Sequence, residues 1–362
     1  MQKPFDLTFA VGPTQLSTEI KADAQYAFTN NLLSISHRGS EFTNMSKHTF
    51  TQLRSFLNIP ETYEIFLTSS ATESWEICAK NLVENEAFCF ISGHFSNAFV
   101  QCLKSWGKNC IVNNVNWGEL NDFKNTVIPD TCDLITLCHN ETSTGVTCAS
   151  DDIKHLKTAY PDKILAVDIT SSVGCSQYTI NDADVWYFSV QKGLGLPSGL
   201  GVMVVSKQAI ERSKHLLTKK QPQGFFNFTN MKKQMGDGKF QTICTPNILA
   251  IYLLGKQLER LNKTSARKIQ KNTEERAKRI YAFFDAHKKA NPYIKNLSYR
   301  SPYTLCIEME ESVLAHYKQK AALLNIQLGA GYGELKNTCI RIANYPAITE
   351  KDINTLLKIF SD

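Results

Sequence analysis

The sequence lacks the features that define several classes of protein. No two of its 11 cysteines have the C-x-x-C spacing and their number is odd, so we expect neither a zinc site nor a disulfide framework. No apolar run approaches membrane-spanning length, and the first residues contain no apolar signal core. We therefore expect a cytoplasmic protein with reduced thiols, no metal and no membrane contact.

A large excess of one charge is also missing. The 40 Lys and Arg residues exceed the 34 Asp and Glu residues by only 6. The densest basic stretch, residues 263–279, is interrupted by Glu274 and Glu275, which is typical of a solvated helix face. This distribution suits anionic small molecules and differs from the basic stripe of nucleic-acid-binding proteins. We expect small-molecule substrates and no nucleic-acid partner.

The chain does contain a regular alternation of strand and helix patterns over residues 65–217. Such alternation predicts an α/β fold with a mainly parallel sheet covered by helices on both faces. Residues 219–245 show no regular pattern, so a long functional loop is predicted there. Two helical patterns follow, over residues 248–261 and 266–287, and the remaining strand and helix patterns predict a smaller α+β domain.

Asp168 and Lys192 have the clearest chemical context. Each ends an apolar run that predicts a buried strand, and glycines follow Lys192 at once. The carboxyl ends of such strands are where open α/β sheets place ligands. A buried lysine loses its proton easily and can bond to an aldehyde cofactor, and a carboxylate can keep a pyridine nitrogen protonated. Without Asp168, an ordinary surface lysine would be the simpler interpretation.

Two further patterns suggest anion binding. Ser70, Ala71 and Thr72 precede an amphipathic helix, whose first amides and dipole can bind a phosphate. The same residues can also serve only as a helix cap. Arg341 lies in a β-like run, residues 338–342, where an inward guanidinium could grip a carboxylate with two hydrogen bonds. The alternative for Arg341 is a surface position on an edge strand.

Together these stretches resemble the class-V aminotransferases, which are fold-type I enzymes dependent on pyridoxal phosphate. Residues 166–172 resemble the aspartate strand of that family, and Gln191 with Lys192 resembles its lysine dipeptide. Residues 140–146 resemble the loop whose threonine contacts the cofactor. The resemblance extends over residues 12–341 and implies a transaminase that acts on amino acids and keto acids.

The resemblance also implies the domain division and the site residues. It implies a large cofactor-binding domain over residues 15–250, a small domain formed by residues 1–14 and 251–362, and a homodimer with shared active sites. Lys192 and Asp168 would be catalytic, and His37, Arg38 and Arg341 would bind the substrate. The expected contacts with pyridoxal phosphate are Ser70, Ala71, Thr72, Phe95, Thr142, Asp168, Gln191 and Lys192, with Cys244 and Thr245 reaching the cofactor of the neighbouring subunit.

The substrate is predicted less directly, because the sequence combines features of two branches. His37, Arg38 and residues 140–142 resemble the phosphoserine branch, which implies transfer between phosphoserine and 2-oxoglutarate in serine biosynthesis and is the preferred prediction. Residues 197–199 and 331–336 resemble the serine/alanine–glyoxylate branch, which stays the alternative. The phosphoserine branch carries a His-Arg pair before the arginine that matches Arg341, and this pair is absent here.

Two local departures, one alternative for Arg38 and one other reaction class complete the prediction. Phosphoserine-type enzymes often place an arginine near Thr72 and an asparagine at Cys244, and this chain has neither. Arg38 could also pair with Glu41 at the surface. A lyase of the cysteine desulfurase type is disfavoured, because glutamine precedes Lys192 and residues 325–333 contain no cysteine.

Overall fold

A computed structural model describes residues 3–236 and 238–361. Over these residues the helices are α1 (Thr18–Thr29), α2 (Ser40–Leu57), α3 (Ala71–Leu82), α4 (His94–Ser105), α5 (Ser150–Ala159), α6 (Lys207–Thr218), α7 (Phe228–Met235), α8 (Ile248–Lys263), α9 (Ala266–Asp285), α10 (Glu311–Leu323) and α11 (Glu350–Phe360). The strands are β1 (Leu7–Thr8), β2 (Glu64–Thr68), β3 (Glu86–Ile91), β4 (Asn109–Asn114), β5 (Cys132–Cys138), β6 (Asn140–Glu141), β7 (Val146–Thr147), β8 (Ile164–Asp168), β9 (Val185–Ser189), β10 (Gly201–Val205), β11 (Ala290–Pro292), β12 (Thr304–Met309), β13 (Ile326–Gln327), β14 (Gly329–Ala330) and β15 (Cys339–Ala343).

The central sheet has seven strands in the order β2-β10-β9-β8-β5-β3-β4. Strand β10 runs antiparallel to its neighbours β2 and β9, and the other pairs are parallel. The predicted α/β fold with a mainly parallel sheet is therefore confirmed. Because β2, β3, β5, β8 and β9 run in one direction, their carboxyl ends lie at the same edge of the sheet.

Burial on both faces explains why the strand sequences are apolar without interruption. Every residue of β8 and β9 is buried. Successive side chains of a strand point to opposite faces, so Trp186 and Phe188 enter one core while Val185 and Tyr187 enter the other. The sheet therefore has no solvent-facing side at its centre, and polar groups concentrate at the strand ends.

The C-terminal part forms a four-stranded antiparallel sheet in the order β11-β12-β15-β14. Its core includes apolar side chains of α9, α10 and α11, and strand β1 pairs with β13 beside it. Helix α8 instead contributes Leu253, Leu254 and Leu258 to a core of the seven-stranded sheet. The predicted domain boundary at residue 250 stays a prediction.

The prediction that residues 219–245 are irregular was wrong for α7. The side chain of Asn227 accepts a hydrogen bond from the Asn230 amide at 2.9 Å and so caps this helix. Phe228, Met231 and Met235 are buried on one face, which stabilises a helix too short to form alone. Among the described residues, no helix combines the length and the apolar character needed to cross a membrane.

Candidate active site

A cavity of about 200 Å³ lies at the carboxyl edge of the seven-stranded sheet. It collects side chains that are far apart in the sequence, because several strands end there. The predicted site residues in its wall are Ala71, Thr72, Phe95, Thr142, Asp168, Gln191 and Lys192. Seven of the residues predicted to contact the cofactor therefore face one space.

Lys192 is a buried amine in this wall. Its Nζ donates a hydrogen bond to Thr142 Oγ1 at 2.7 Å and lies 4.9 Å from the centre of the Phe95 ring. Burial lowers the pKa of Lys192 to about 8; the guanidinium of Arg341 acts in the same direction, while Asp168 and Glu141 act against it. A neutral amine is therefore accessible near physiological pH, which a nucleophile or general base requires.

The chain packs closely against the stem of this lysine. A Cβ atom at Gly12 would lie 3.1 Å from Lys192 Cε, and the Thr14 amide donates to the Gln191 carbonyl oxygen at 3.1 Å. At Gly193 a Cβ atom would lie only 1.9 Å from the Val173 carbonyl oxygen. Glycine at residue 193 is thus required by close approach of two backbone segments, which fixes the direction of Lys192.

Asp168 ends β8 on the floor of the cavity and is buried. Its Oδ1 accepts a hydrogen bond from the Thr170 amide at 2.8 Å, and no cation of the described residues forms an ion pair with it. Burial raises the pKa of Asp168, and its hydrogen bonds with Thr170 and the charge of Lys192 only partly oppose this. The carboxylate is therefore suited to a cationic group that enters the cavity.

The first turn of α3 is partly occupied by the protein itself. Ser70 caps the helix by accepting a hydrogen bond from the Glu73 amide at 3.2 Å, and the Ala71 amide donates to Ser189 Oγ at 2.7 Å. Thr72 is exposed at the cavity wall, and Gln191 lines the same wall. The helix dipole, Thr72 and Gln191 remain available to a phosphate at this end.

Arg341, on β15, does not line the cavity itself and contacts the backbone of Thr142 in its wall. Its Nε donates to the Ala330 carbonyl oxygen at 2.8 Å and its Nη1 donates to the Thr142 carbonyl oxygen at 3.1 Å. Burial lowers the pKa of Arg341, and no carboxylate of the described residues forms an ion pair with it. The guanidinium lies 5.1 Å from the centre of the Tyr332 ring. Nε and Nη1 are thus held by backbone carbonyl oxygens. Nη2 has no hydrogen-bond partner among the described residues and could bind a carboxylate.

The other predicted residues lie outside this cavity. Arg38 donates from Nη1 to the Thr242 carbonyl oxygen at 3.2 Å and to Gln241 Oε1 at 3.3 Å, so it contacts the segment that leads to Cys244 and Thr245. Cys244 and Thr245 are exposed and line a neighbouring cavity beside α3. The neighbouring His37 is half-buried.

Sequence reasoning missed several residues of the site. Ser189 binds the Ala71 amide, Glu141 binds the start of α4, and Tyr332 packs 5.4 Å from the Phe95 ring. The only sequence signals were that Ser189 ends a buried strand and that Glu141 adjoins Thr142. Arg300 binds both carboxylate oxygens of Asp285, so its charge is already paired.

These residues fit the pyridoxal phosphate that the sequence implies. Buried Asp168 lacks a cation, and Asn140 Oδ1, also in the cavity wall, has no hydrogen-bond partner among the described residues. Phe95 offers an aromatic face beside Lys192 Nζ. A flat ring with a protonated nitrogen at one end and a phosphate at the other would satisfy Asp168 and the start of α3 together.

Comparisons with known proteins point to one family. The family model for aminotransferase class-V matches residues 9–355. The phosphoserine aminotransferases of Rhodococcus opacus and Corynebacterium glutamicum are each 26% identical, over 362 and 360 residues, covering 98% of this chain and 94% and 93% of those proteins. The crystal structure of a phosphoserine aminotransferase from Cytophaga hutchinsonii superposes with a TM-score of 0.93 at 31% identity, covering 98% of this chain and 97% of that chain.

A more distant structure shares the fold alone. The ureidoglycine–glyoxylate aminotransferase of Bacillus subtilis superposes with a TM-score of 0.84 at 15% identity, covering 99% of this chain and 93% of that chain. The same architecture therefore carries more than one substrate specificity, which has to be argued from side chains.

Proposed function

This chain belongs to the class-V aminotransferase family and is a transaminase that uses pyridoxal phosphate, and we propose that it exchanges an amino group between O-phosphoserine and 2-oxoglutarate. The products would be 3-phosphohydroxypyruvate and glutamate, and the reaction would belong to serine biosynthesis. Full-length similarity to proteins named phosphoserine aminotransferase supports this choice.

The observation that carries the proposal is a pair of guanidinium groups that have no carboxylate partner among the described residues. Arg341 has an open edge beside Lys192, where an α-carboxylate would bind. Arg38 bonds only to neutral acceptors, Gln241 Oε1 and the Thr242 carbonyl oxygen, so its charge is not compensated by a carboxylate of the described residues. A substrate with both a carboxylate and a phosphate would use the two cations.

For Arg38 to reach a substrate, the proposal needs a second copy of the chain. Arg38, Cys244 and Thr245 lie outside the cavity of Lys192 in their own subunit, and Arg38 is tied to the segment that carries the other two. We assign these residues, with His37, to the site of the neighbouring subunit in a homodimer. The dimer would thus complete both the phosphate end of the cofactor and the substrate phosphate.

The roles of the remaining side chains follow from their positions. Pyridoxal phosphate, when bound, supplies the electron sink that makes the substrate Cα–H acidic. Lys192 Nζ would take that proton and return it at the cofactor, since burial leaves a neutral amine accessible. Asp168 would hold the proton on the ring nitrogen, Phe95 would fix the ring plane, and Arg341 would orient the amino acid.

The alternative is a serine or alanine–glyoxylate aminotransferase, and one observation favours it. Tyr332 lies where the phosphoserine branch carries cations, and its ring packs on Arg341 at 5.1 Å. Residues 331–335 contain no lysine, arginine or histidine. If Arg38 does not reach the substrate, the site would offer a carboxylate anchor and an aromatic wall without a phosphate site.

The test adds phosphoserine, serine, alanine and glutamate separately to the holoenzyme and follows bleaching of the visible cofactor band. Rapid bleaching by phosphoserine and glutamate is expected. Arg38→Gln should slow bleaching by phosphoserine and by glutamate, because each carries a second anionic group for Arg38 to bind. Bleaching by serine or alanine, with phosphoserine inert, would overturn the proposal in favour of the glyoxylate branch.

Two broader assignments belong to the same proposal. We place the protein in the cytoplasm, because none of its cysteines is in a disulfide. We also assign residues 15–250 to the large domain and residues 1–14 and 251–362 to the small domain.

A further inference from the structure

Glu141 is a fully buried carboxylate next to the cofactor-facing Thr142. Among the described residues it has no ion-pair partner, yet both of its oxygens are saturated with hydrogen bonds. Oε1 accepts from the Phe95 amide at 3.3 Å, the Ser143 amide at 3.0 Å and the Ser143 hydroxyl at 2.6 Å. Oε2 accepts from the Ser96 amide and the Ser96 hydroxyl, both at 3.0 Å.

These contacts complete the start of α4, which lacks a side-chain cap of its own. The residue before the helix is Gly93, and its φ of 165° is ordinary extended backbone. A Cβ atom at Gly93 would lie 2.5 Å from Ser143 Oγ and 2.6 Å from Glu141 Cγ. Glycine is therefore needed here for close approach, and the cap comes from a loop 48 residues away along the chain.

The first three amides of the helix are satisfied by this loop. The His94 amide donates to Ser143 Oγ at 2.9 Å, and the Phe95 and Ser96 amides donate to the two oxygens of Glu141. A negative charge at a helix amino terminus also interacts favourably with the helix dipole. The position of the Phe95 backbone is thus set by the Glu141 carboxylate.

The same loop presents Thr142 to the active site. Thr142 lies between Glu141 and Ser143, both of which are locked against α4. Its hydroxyl accepts from Lys192 Nζ at 2.7 Å and its carbonyl oxygen accepts from Arg341 Nη1 at 3.1 Å. One buried carboxylate therefore connects the aromatic wall, the lysine and the substrate-binding arginine.

We propose that Glu141 is a positioning residue of the cofactor site: it fixes the spacing between the Phe95 ring and the Thr142 hydroxyl, so that pyridoxal phosphate is held flat beside Lys192. This rests on the proposed function only in assigning Phe95 and Thr142 as cofactor contacts. The amino donor plays no part in it.

The chemistry requires a carboxylate at this position. All the hydrogen bonds to Glu141 are donated to it, so a glutamine would place an NH₂ group against two N–H or O–H donors. Glu141→Gln keeps the side-chain volume and changes the hydrogen bonding and the charge. Glu141→Asp keeps the charge and shortens the reach by one CH₂ group, so the two variants separate charge from geometry.

Asp133 offers a matched control at the opposite end of β5. It is also a buried carboxylate, and it accepts hydrogen bonds from the amides of Glu84, Asn85 and Glu86. Its Oδ1 lies 3.2 Å from Arg212 Nη1. Asp133→Asn should weaken the fold in a similar way, but it lies at the edge of the sheet that faces away from the cavity.

The first measurement is the affinity of the apoenzyme for pyridoxal phosphate, together with the visible circular dichroism of the bound cofactor. Glu141→Gln should raise the dissociation constant about ten- to a hundredfold, the usual effect of losing buried hydrogen bonds to a charged group. The dichroism should weaken because the ring is held less firmly. Asp133→Asn should leave both readouts unchanged. No substrate is present, so the outcome does not depend on whether phosphoserine is the correct amino donor.

The second measurement is the pH dependence of cofactor association. A residue that only capped the helix would not shift the midpoint of this pH profile. The titratable and charged groups that face Lys192 are Asp168 on β8, Arg341 on β15, Glu141 on β6 and the thiol of Cys138 on β5, and Glu141 favours the protonated amine. Removing its charge lowers the pKa of Lys192, so the midpoint should move to lower pH in Glu141→Gln. It should stay in place in Glu141→Asp.

Three results would overturn the proposal. The first is wild-type affinity and dichroism in Glu141→Gln, and the second is an equal loss of affinity in Asp133→Asn. If Glu141→Gln does not fold, Ser143→Ala carries the same test, because the Ser143 hydroxyl joins Glu141 to the His94 amide. Unchanged cofactor affinity in both Ser143→Ala and Glu141→Asp would be the third.

Discussion

Two lysine–aspartate pairs lie at opposite ends of β8 and β9, and the protein holds them differently. At the amino end, Asp184 accepts a hydrogen bond from Lys157 Nζ at 2.7 Å and another from the Leu165 amide at 3.0 Å. Its second oxygen accepts from the Ser206 hydroxyl at 2.9 Å. This carboxylate is fully satisfied by its own chain, as a structural ion pair requires.

At the carboxyl end, the partners do not bond to each other. Lys192 Nζ donates to the neutral hydroxyl of Thr142, and Asp168 accepts from the Thr170 amide without a cation. Both groups are buried, like Asp184, and yet each can accept or donate further hydrogen bonds. Burial alone occurs at both ends, so the two ends differ in their pairing. Incomplete pairing is what makes the carboxyl end the candidate site.

The strongest way to test the comparison is to remove each lysine. Lys192→Ala should lower transaminase activity about a thousandfold and abolish the visible cofactor band, because the amine proposed to bond the cofactor and move the proton is lost. Lys157→Ala should keep the band and cost about 3 kcal/mol of unfolding free energy, since Asp184 would stay buried without its cation. Absorbance spectra and urea unfolding would check both. A cofactor band lost in Lys157→Ala would contradict the distinction.

Removing each carboxylate charge gives the next largest effect. Asp168→Asn should lower turnover about a hundredfold, because the ring nitrogen would lose the anion that keeps it protonated. Burial raises the pKa of Asp168, so the folded apoenzyme binds this proton more tightly than the unfolded chain and loses stability as pH rises through the ordinary aspartate range. Asp168→Asn should remove that loss, and urea unfolding of the apoenzyme at pH 4 and pH 7 would show it.

The matched variant Asp184→Asn should affect stability and leave catalysis intact. It should lower the unfolding free energy by about 3 kcal/mol at neutral pH and leave turnover per folded molecule unchanged. If Asp184→Asn were more stable than Asp168→Asn, the amino end would not hold the structural ion pair, and the distinction between the two ends would be wrong.

The lowered pKa of Lys192 predicts a pH profile for cofactor association. Only the neutral amine attacks an aldehyde, and the pKa of Lys192 is about 8. The association rate should therefore rise about fiftyfold between pH 6 and pH 8 and then level off. Stopped-flow mixing of the apoenzyme with pyridoxal phosphate would measure it. A rate that keeps rising to pH 10 would mean that burial does not lower this pKa.

The smallest effect concerns Arg341, the proposed anchor of the substrate carboxylate. Arg341→Lys should raise the KM for the amino acid about tenfold, because an ammonium cannot hold two backbone carbonyls and a carboxylate with one planar group. The affinity for pyridoxal phosphate should not change. Tyr332→Phe keeps the ring under the guanidinium and is the control, and its KM should stay near that of the wild type. A lower cofactor affinity in Arg341→Lys would move Arg341 into the cofactor site.

Much of the fold could be predicted from the sequence, because strands and helices depend largely on residue patterns within short stretches of the chain. Apolar runs ending in Asp168 and Lys192 predicted buried strands, and their alternation with helices predicted the parallel sheet. Helix α7 was missed, because its surroundings are rich in glycine and its stability depends on Phe228 and Met231 packing into a distant core. Propensity within a short window does not contain that information.

The sequence by itself determined which chemical groups lie at strand ends: a lysine, an aspartate, a threonine after a strand and an arginine in a β-like run. Only the tertiary structure decided what each group is bonded to. It paired Asp184 with Lys157 and left Asp168 open, and it placed Glu141 under the start of α4. Pairing depends on distances between segments far apart in the chain, and these exist only once the strands have assembled and packed.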